Sequence, residues 1–284
     1  MDAETWRQRV RHTDSKGVAI AYRVDGDAGA PVLLIMGLAM PGRAWQRQVE
    51  GLAHLHQVAT FDNRGVGASA RAPGPYSMAQ LADDARRVLD ALNWQTAHVV
   101  GVSMGGMVAQ ELALRSRDRL RSLTLIATHA GGLRALPPHP TGLLRFAQAQ
   151  MGGRVARGHA LERLLFPPAY LERCDRAALR RSLTDDLGDP PPAATRTAQI
   201  AAVLRHRTRE RLADLRDLPT LLVRPGLDVL VRPTEVDRLQ RLLPHARLLR
   251  LDDAGHGVIR QTPERLNLAL IEHFAAVDGA AKAS

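Results

Sequence analysis

A parallel, doubly wound α/β sheet interrupted by a block of helices is the fold that this sequence predicts. Three observations carry it. From Val32 to Ala127, short continuous apolar runs alternate with amphipathic helical stretches, the pattern of strands buried on both faces by crossover helices. From about Gly131 to Asp217 strand-like runs disappear and helical stretches follow one another. From Thr220 onward the alternation resumes. A chain of 284 residues with 45% hydrophobic content is long enough for one large domain with an insertion. We therefore expect a core domain built from residues 1–130 and 218–284, with residues 131–217 forming a helical cap inserted into it.

Taken in order, Trp6–His12 and Val18–Arg23 alternate as two strands joined by a turn at Asp14-Ser15-Lys16-Gly17. Val32–Met36 is a fully apolar strand that ends in the loop Gly37-Leu38-Ala39-Met40-Pro41-Gly42, and Trp45–His54 follows as a helix. Gln57–Phe61 is the next strand, closing in Asp62-Asn63-Arg64-Gly65-Val66-Gly67-Ala68-Ser69. Met78–Leu92 carries Leu81, Ala85, Val88, Leu89 and Leu92 at helical spacing. Ala97–Val102 is a strand, Val108–Ser116 belongs to a helix, and Leu120–Ala127 is a strand again.

Within the insertion, helices are expected over Thr141–Met151, Ala160–Leu165, Ala169–Asp186 and Ala193–Leu212. Breaks fall at Gly152-Gly153, Pro167-Pro168 and Pro190-Pro191-Pro192. Thr220–Val223 and Arg247–Leu251 are the last strands, with helices at Thr234–Leu243 and Glu264–Ala276. Asp278–Ser284 reads as a frayed tail.

Composition narrows the function classes. Net charge is +10 and the pI about 11.0, but nearly all the positive residues are scattered arginines, Lys16 and Lys282 being the only lysines. No nucleic-acid-binding motif accompanies them, so no nucleic-acid partner is expected. No signal peptide is visible at the N-terminus, and the longest apolar run, Pro31–Met40, is too short to span a bilayer. A cytoplasmic protein without a membrane partner is the expectation, acting on a small molecule as a monomer or homodimer. Cys174 is the only cysteine, which excludes an intrachain disulfide and a cysteine-based metal site. The run Gly65–Ala70 fits a loose dinucleotide fingerprint, but Pro73 and Pro75 fall where a phosphate-binding helix should begin.

The chemistry centres on Gly101-Val102-Ser103-Met104-Gly105, where a strand turns sharply into a helix. Such a junction projects the serine hydroxyl from a strained bend, and its flanking glycines suit a place where strand and helix approach too closely for a Cβ. Ser103 is the candidate nucleophile. The base should follow a strand at the same sheet edge, and His256 does so in Asp252-Asp253-Ala254-Gly255-His256-Gly257. His139, His159, His206, His245 and His273 read as surface or packing residues. His129, just past the Leu120–Ala127 strand, is a candidate substrate-lining residue together with Gly37, although packing is the weightier reading for it.

The orienting acid should also follow a strand. Asp228 does, in Pro225-Gly226-Leu227-Asp228, with Asp62 as its rival. The oxyanion hole requires two backbone N–H groups. Met104, next to the nucleophile, and Leu38, in the loop after the Val32–Met36 strand, are the candidates. No metal and no organic cofactor is required by this set.

These four blocks, in this order, resemble the α/β-hydrolase superfamily over essentially the whole chain: Gly37-Leu38, Asp62–Ser69, Gly101–Gly105, and Gly226-Leu227-Asp228 with Gly255-His256-Gly257. The resemblance implies an α/β-hydrolase fold with a mostly parallel eight-stranded sheet, helices on both faces and an inserted helical cap. It also implies serine hydrolase chemistry by Ser103, Asp228 and His256. It looks closest to small esterases, enol-lactonases and carbon–carbon bond hydrolases. Many members carry His-Gly where this chain has Met36-Gly37, so the hydrogen bonding of the oxyanion loop is expected to differ.

The expected reaction is hydrolysis of a small to medium, fairly apolar carboxylic ester or lactone through an acyl-enzyme on Ser103. Carbon–carbon bond hydrolysis, cofactor-free haloperoxidase activity and lyase-type biosynthetic chemistry remain alternatives on the same residues. A non-catalytic ligand receptor is the alternative from another class. Arg145 and Arg154 of the insertion are read as solvated charge rather than as partners of an acidic substrate.

Overall fold

The computed structural model describes residues 9–132, 137–151 and 154–283. The expected strand at Trp6–Gln8, the break at Gly152-Gly153 and Ser284 lie outside the described residues, as does the side chain of Arg154. An eight-stranded sheet organises the fold. Its strands are β1 (Arg11–Ser15), β2 (Val18–Asp25), β3 (Pro31–Ile35), β4 (Gln57–Phe61), β5 (Ala97–Val102), β6 (Leu120–Ile126), β7 (Thr220–Pro225) and β8 (Arg247–Leu251). Their spatial order is β1-β2-β4-β3-β5-β6-β7-β8.

From β4 to β8 every pairing is parallel, whereas β2 runs antiparallel to both β1 and β4. The β1–β2 hairpin closes more tightly than the sequence suggests. Asp14 and Ser15 belong to the strand, and Lys16-Gly17 alone makes the turn, both at positive φ (55° and 82°).

Two core layers flank the sheet. One packs Leu81, Ala85, Val88 and Leu89 of α2 (Met78–Ala91) with Met107, Val108 and Leu112 of α3 (Met104–Arg115) against Leu33, Val99 and Leu123. The other sets Val49 and Leu52 of α1 (Gln46–Leu52) with Leu266, Leu270 and Phe274 of the C-terminal helix against Val32, Val100 and Leu221. Alternate residues of one strand feed opposite layers, as the pleat requires.

Between β6 and β7 the described residues include five α-helices: α4 (Pro140–Met151), α5 (Arg154–Leu165), α6 (Pro168–Leu171), α7 (Arg176–Leu187) and α8 (Ala193–Arg205). The stretch expected as one helix over Ala169–Asp186 is divided, because Asp175 turns its carboxylate onto the N–H groups of Ala177 and Ala178 and starts α7 afresh. The helix expected to reach Leu212 stops at Arg205, where His206 leaves helical geometry (φ −58°, ψ 132°).

After β7 come α9 (Pro233–Leu242), α10 (Val258–Gln261) and α11 (Pro263–Ala283). The expected frayed tail is therefore a correction: α11 runs on through it. Asp278 accepts hydrogen bonds from the Arg121 guanidinium (2.7 and 2.9 Å) and lies 3.2 Å from His98 Nε2, which ties the end of α11 to β5 and β6. Among the described residues no helix is long and apolar enough to cross a membrane.

Candidate active site

Sterics dictate the bend that carries Ser103. Its backbone sits at φ 55°, ψ −121°, a left-handed conformation that costs a serine strain energy and persists only when the surroundings enforce it. The enforcement is visible. Ser103 N–H donates to Ile126 O (2.9 Å), and its carbonyl accepts from Thr128 Oγ1 (2.7 Å) and Gly106 N–H (3.0 Å). The glycines are obligatory for close approach: a Cβ on Gly101 would lie 2.3 Å from Gly105 O, and one on Gly105 would lie 2.1 Å from Ile35 O.

Two loops at the carboxyl end of the sheet bring up the other groups. Asp228 follows β7 and is buried; its Oδ1 accepts from the N–H groups of Leu230 (2.8 Å) and Val231 (3.0 Å). Its Oδ2 lies 2.6 Å from Nδ1 of His256. A carboxylate is acceptor-only, so this contact places the imidazole proton on Nδ1 and leaves Nε2 as the free ring nitrogen. The His256 loop is fixed in turn by Gly257 N–H to Leu165 O (2.7 Å) and Gly255 N–H to Gln261 Oε1 (2.9 Å).

The rival acid is placed elsewhere. Asp62 accepts from Gly42 N–H (2.6 Å) and Ala68 N–H (2.8 Å), so its carboxylate braces two loops rather than a histidine. Burial raises its pKa to about 6. Asp252 and Asp253 pair with Arg224 and Arg265 respectively.

Ser103, His256, Gly37, Leu38, Met104 and His129 all line one cavity of about 520 Å³. Its walls are mainly apolar, with Phe146, Leu161, Leu165 and Ile200 contributed by the helices between β6 and β7. The loop bearing Leu38 is held at three points. Asn63 Nδ2 donates to Met36 O (3.1 Å), Ala39 N–H donates to Gln199 Oε1 (2.8 Å), and Gly42 N–H reaches Asp62. This is how the loop is fixed without a histidine at position 36. Ala39 itself sits at φ 58°. The N–H groups of Leu38 and Met104 donate to no acceptor among the described residues.

His129 is on the cavity wall, against the packing role that the sequence favours for it. Its Nδ1 accepts from Gly131 N–H (3.0 Å), and burial lowers its pKa to about 4. His206, read from sequence as a surface or packing residue, also belongs to this wall. It is buried, lines the same cavity with its ring 6.2 Å from that of His129, and has its pKa lowered to about 3 by burial and then by the neighbouring imidazole. Both rings are neutral at pH 7. Sequence reasoning also missed Arg157 and Gln199. No local signal marks either, because both sit in helices whose docking onto the sheet is set by long-range packing. Among the described residues no group of three or more His, Cys, Asp or Glu side chains is placed to hold a metal ion.

A strained serine between strand and helix, with a histidine–aspartate pair on later loops of a mostly parallel sheet, defines the α/β-hydrolase class. The chain belongs to that family: the family profile described as "alpha/beta hydrolase fold" matches residues 30–260. A relative from Azorhizobium caulinodans, named "Putative carbamate hydrolase RutD", is 34% identical over 260 residues, covering 90% of this chain and 95% of that protein. The crystal structure of a hydrolase from Pseudomonas aeruginosa superposes with a TM-score of 0.79 at 29% identity, over 93% of this chain and 97% of that one. A thermophilic esterase from Thermogutta terrifontis gives a TM-score of 0.77 at 27% identity, over 94% and 97%.

Proposed function

We propose that the protein is a serine hydrolase that cleaves a small to medium carboxylic ester or lactone through an acyl-enzyme on Ser103. The observation that carries this reading is the 2.6 Å contact between Asp228 and His256 Nδ1, with His256 and Ser103 lining one cavity. In the first step Ser103 Oγ attacks the substrate carbonyl and His256 Nε2 takes its proton, while Asp228 stabilises the imidazolium. The N–H groups of Leu38 and Met104 receive the developing oxyanion. Each such donor typically supplies about 3–4 kcal/mol of transition-state stabilisation.

Collapse of the intermediate breaks the bond to the leaving alkoxide, which takes the proton from His256. For a lactone the alkoxide remains on the same molecule. A water activated by His256 then releases the acid and restores Ser103. The helices between residues 131 and 217 serve in this reading as a cap that supplies the apolar wall. Residues 1–130 and 218–284 supply the chemistry. The esterase neighbour supports the ester reading. A second reading is favoured by the Azorhizobium relative: a carbamate offers the same planar carbonyl to the same nucleophile.

Active-site titration with a fluorophosphonate tests the proposal. One equivalent of label per wild-type chain is expected, lost in Ser103→Ala and in His256→Ala. An unlabelled wild type sinks it. A panel of esters, lactones, carbamates and β-diketones, scored by kcat/KM, separates the substrate classes.

A further inference from the structure

Among the described residues the two other buried arginines, Arg23 and Arg64, each pair with a carboxylate. Arg64 makes a two-point contact with Asp84 (2.6 and 2.5 Å). Arg260, which lines the active-site cavity, bonds to Asp186, and Arg176 and Arg180 both go to Glu162. Arg157 departs from this rule. It lies on α5, is only 9% exposed, and lines the same cavity as Ser103 and His256. Among the described residues no carboxylate comes within ion-pairing distance of it. Its hydrogen bond is from one terminal nitrogen to the carbonyl of Gly188 (3.1 Å), just past the end of α7.

The nearby charges do not compensate it. Burial weighs most against its charged form, the like charge of Arg196 adds to that, and Asp189 opposes both from beyond bonding distance. Arg196 is itself turned to the carbonyls of Pro191 and Gln150.

A guanidinium stays protonated at any pH the protein meets, so the cavity wall carries a fixed, desolvated positive charge. Five N–H donors in a planar fork suit the two oxygens of a carboxylate. The carbonyl of Gly188 engages one edge of that fork. The remaining donors belong to a side chain that lines the cavity. A charge with no carboxylate partner among the described residues, on the wall of a mainly apolar cavity, is a selectivity device for an anion.

We infer that Arg157 makes this cavity a receptor for a substrate with a free carboxylate on its acyl part, away from the scissile carbonyl. This rests on the serine hydrolase reading for the reaction, but the carboxylate site itself does not require turnover. It refines the expectation of a fairly apolar substrate. Arg145, read from sequence as solvated charge, donates to Arg163 O (2.7 Å), and the acid-recognising role falls to a residue that the sequence does not single out.

A matched pair of substrates tests it: the mono-p-nitrophenyl ester of adipic acid against p-nitrophenyl hexanoate, equal in chain length and differing in one carboxylate. The wild type is expected to favour the acidic ester at least tenfold in kcat/KM, mainly through KM. Arg157→Met should lower the acid-to-neutral ratio at least tenfold, and Arg157→Lys, which keeps the charge but loses the fork, should fall between. Calorimetric titration of adipate into the wild type needs neither a variant nor catalysis, and saturable binding that is lost in Arg157→Met supports the site.

A wild type that favours the neutral ester, or a ratio unchanged in Arg157→Met, overturns the inference. Should the wild type turn over neither ester and take no fluorophosphonate, the hydrolase reading fails. The adipate titration then decides the carboxylate site alone, and a wild type that does not bind adipate overturns it. Should Arg157→Met fail to fold, the wild-type substrate preference and adipate titration remain decisive.

Discussion

Asp228 and His256 are 28 positions apart in the chain and 2.6 Å apart at Oδ2 and Nδ1. The pairing uses one carboxylate oxygen. The other is taken by the N–H groups of Leu230 and Val231, which lock the carboxylate in the orientation that the imidazole needs. Asp228→Asn would leave the shape and present an amide to Nδ1, favouring the wrong tautomer. Ester kcat/KM is expected to fall by about 10⁴-fold, with thermal stability near that of the wild type. Activity within a few-fold of wild type would remove Asp228 from the acid's role.

The bend at Ser103 separates folding from catalysis. A Cβ on Gly105 would sit 2.1 Å from Ile35 O, a backbone atom of a central strand that cannot move aside. Gly105→Ala should therefore fail to accumulate as folded protein. Gly37 is different, because its Cβ would lie 3.4 Å from Ser103 Cβ and 4.0 Å from Ser103 Oγ, in ordinary contact. Gly37→Ala should keep the wild-type Tm while lowering kcat/KM, since it fills space beside the nucleophile. Equal melting temperatures for the two variants would contradict this account.

Asp62 gives stability a pH dependence of defined sign. Its pKa rises from 3.8 to about 6 on folding, so the native state binds a proton more tightly than the unfolded chain. The associated stability is fully present below pH 4 and is lost as pH rises through 6. The loss amounts to about 3 kcal/mol at 1.36 kcal/mol per pKa unit. In Asp62→Asn that step is absent. Denaturant unfolding of both proteins at pH 4 and pH 7 should show the wild type losing ground to the variant over this interval; a constant difference would contradict it.

Gln199 reaches from α8 to the loop of Leu38, where its Oε1 accepts the Ala39 N–H at 2.8 Å. Gln199→Leu leaves that buried N–H without an acceptor and frees the loop at a residue held in positive φ. A stability loss of about 1–3 kcal/mol is expected. Displacement of the neighbouring Leu38 N–H should lower kcat by about 10-fold or more with little change in KM. A change confined to KM would show that Gln199 shapes the cavity only.

The end of α11 is held by charge rather than by apolar burial. Asp278 accepts from Arg121, and the His98 ring lies stacked against Phe274 one turn earlier in α11. Asp278→Ala should lower stability by about 1–3 kcal/mol, read as a drop in Tm, with ester hydrolysis unaffected. An unchanged Tm would return the segment to the frayed tail that its composition suggests.

The sheet was legible because its signals are local. Val32–Ile35 is a continuous apolar run and Ala97–Val102 a Val-rich one interrupted by His98 and Gly101, the pattern of strands covered on both faces. The bend was legible because glycines two residues either side of Ser103 have a steric cause written into the sequence. Helix limits in the insertion were less so, since α7 begins where the Asp175 side chain caps it and α8 ends where His206 turns inward. His206 has no sequence feature that distinguishes a cavity wall from a packed core, and His129 has only its place just past a strand.

By itself the sequence determined the alternation of strands and helices, the strained serine, and the order in which nucleophile, acid and base candidates follow their strands. Those depend on residues close together in the chain. Only the tertiary structure decided that Asp228, not Asp62, meets His256, and that Gln199 holds the loop at Ala39. It also decided that Arg157 is buried without a carboxylate partner among the described residues. Each of these joins groups from elements distant in sequence, and their meeting depends on how helices dock onto the sheet, which no local pattern encodes.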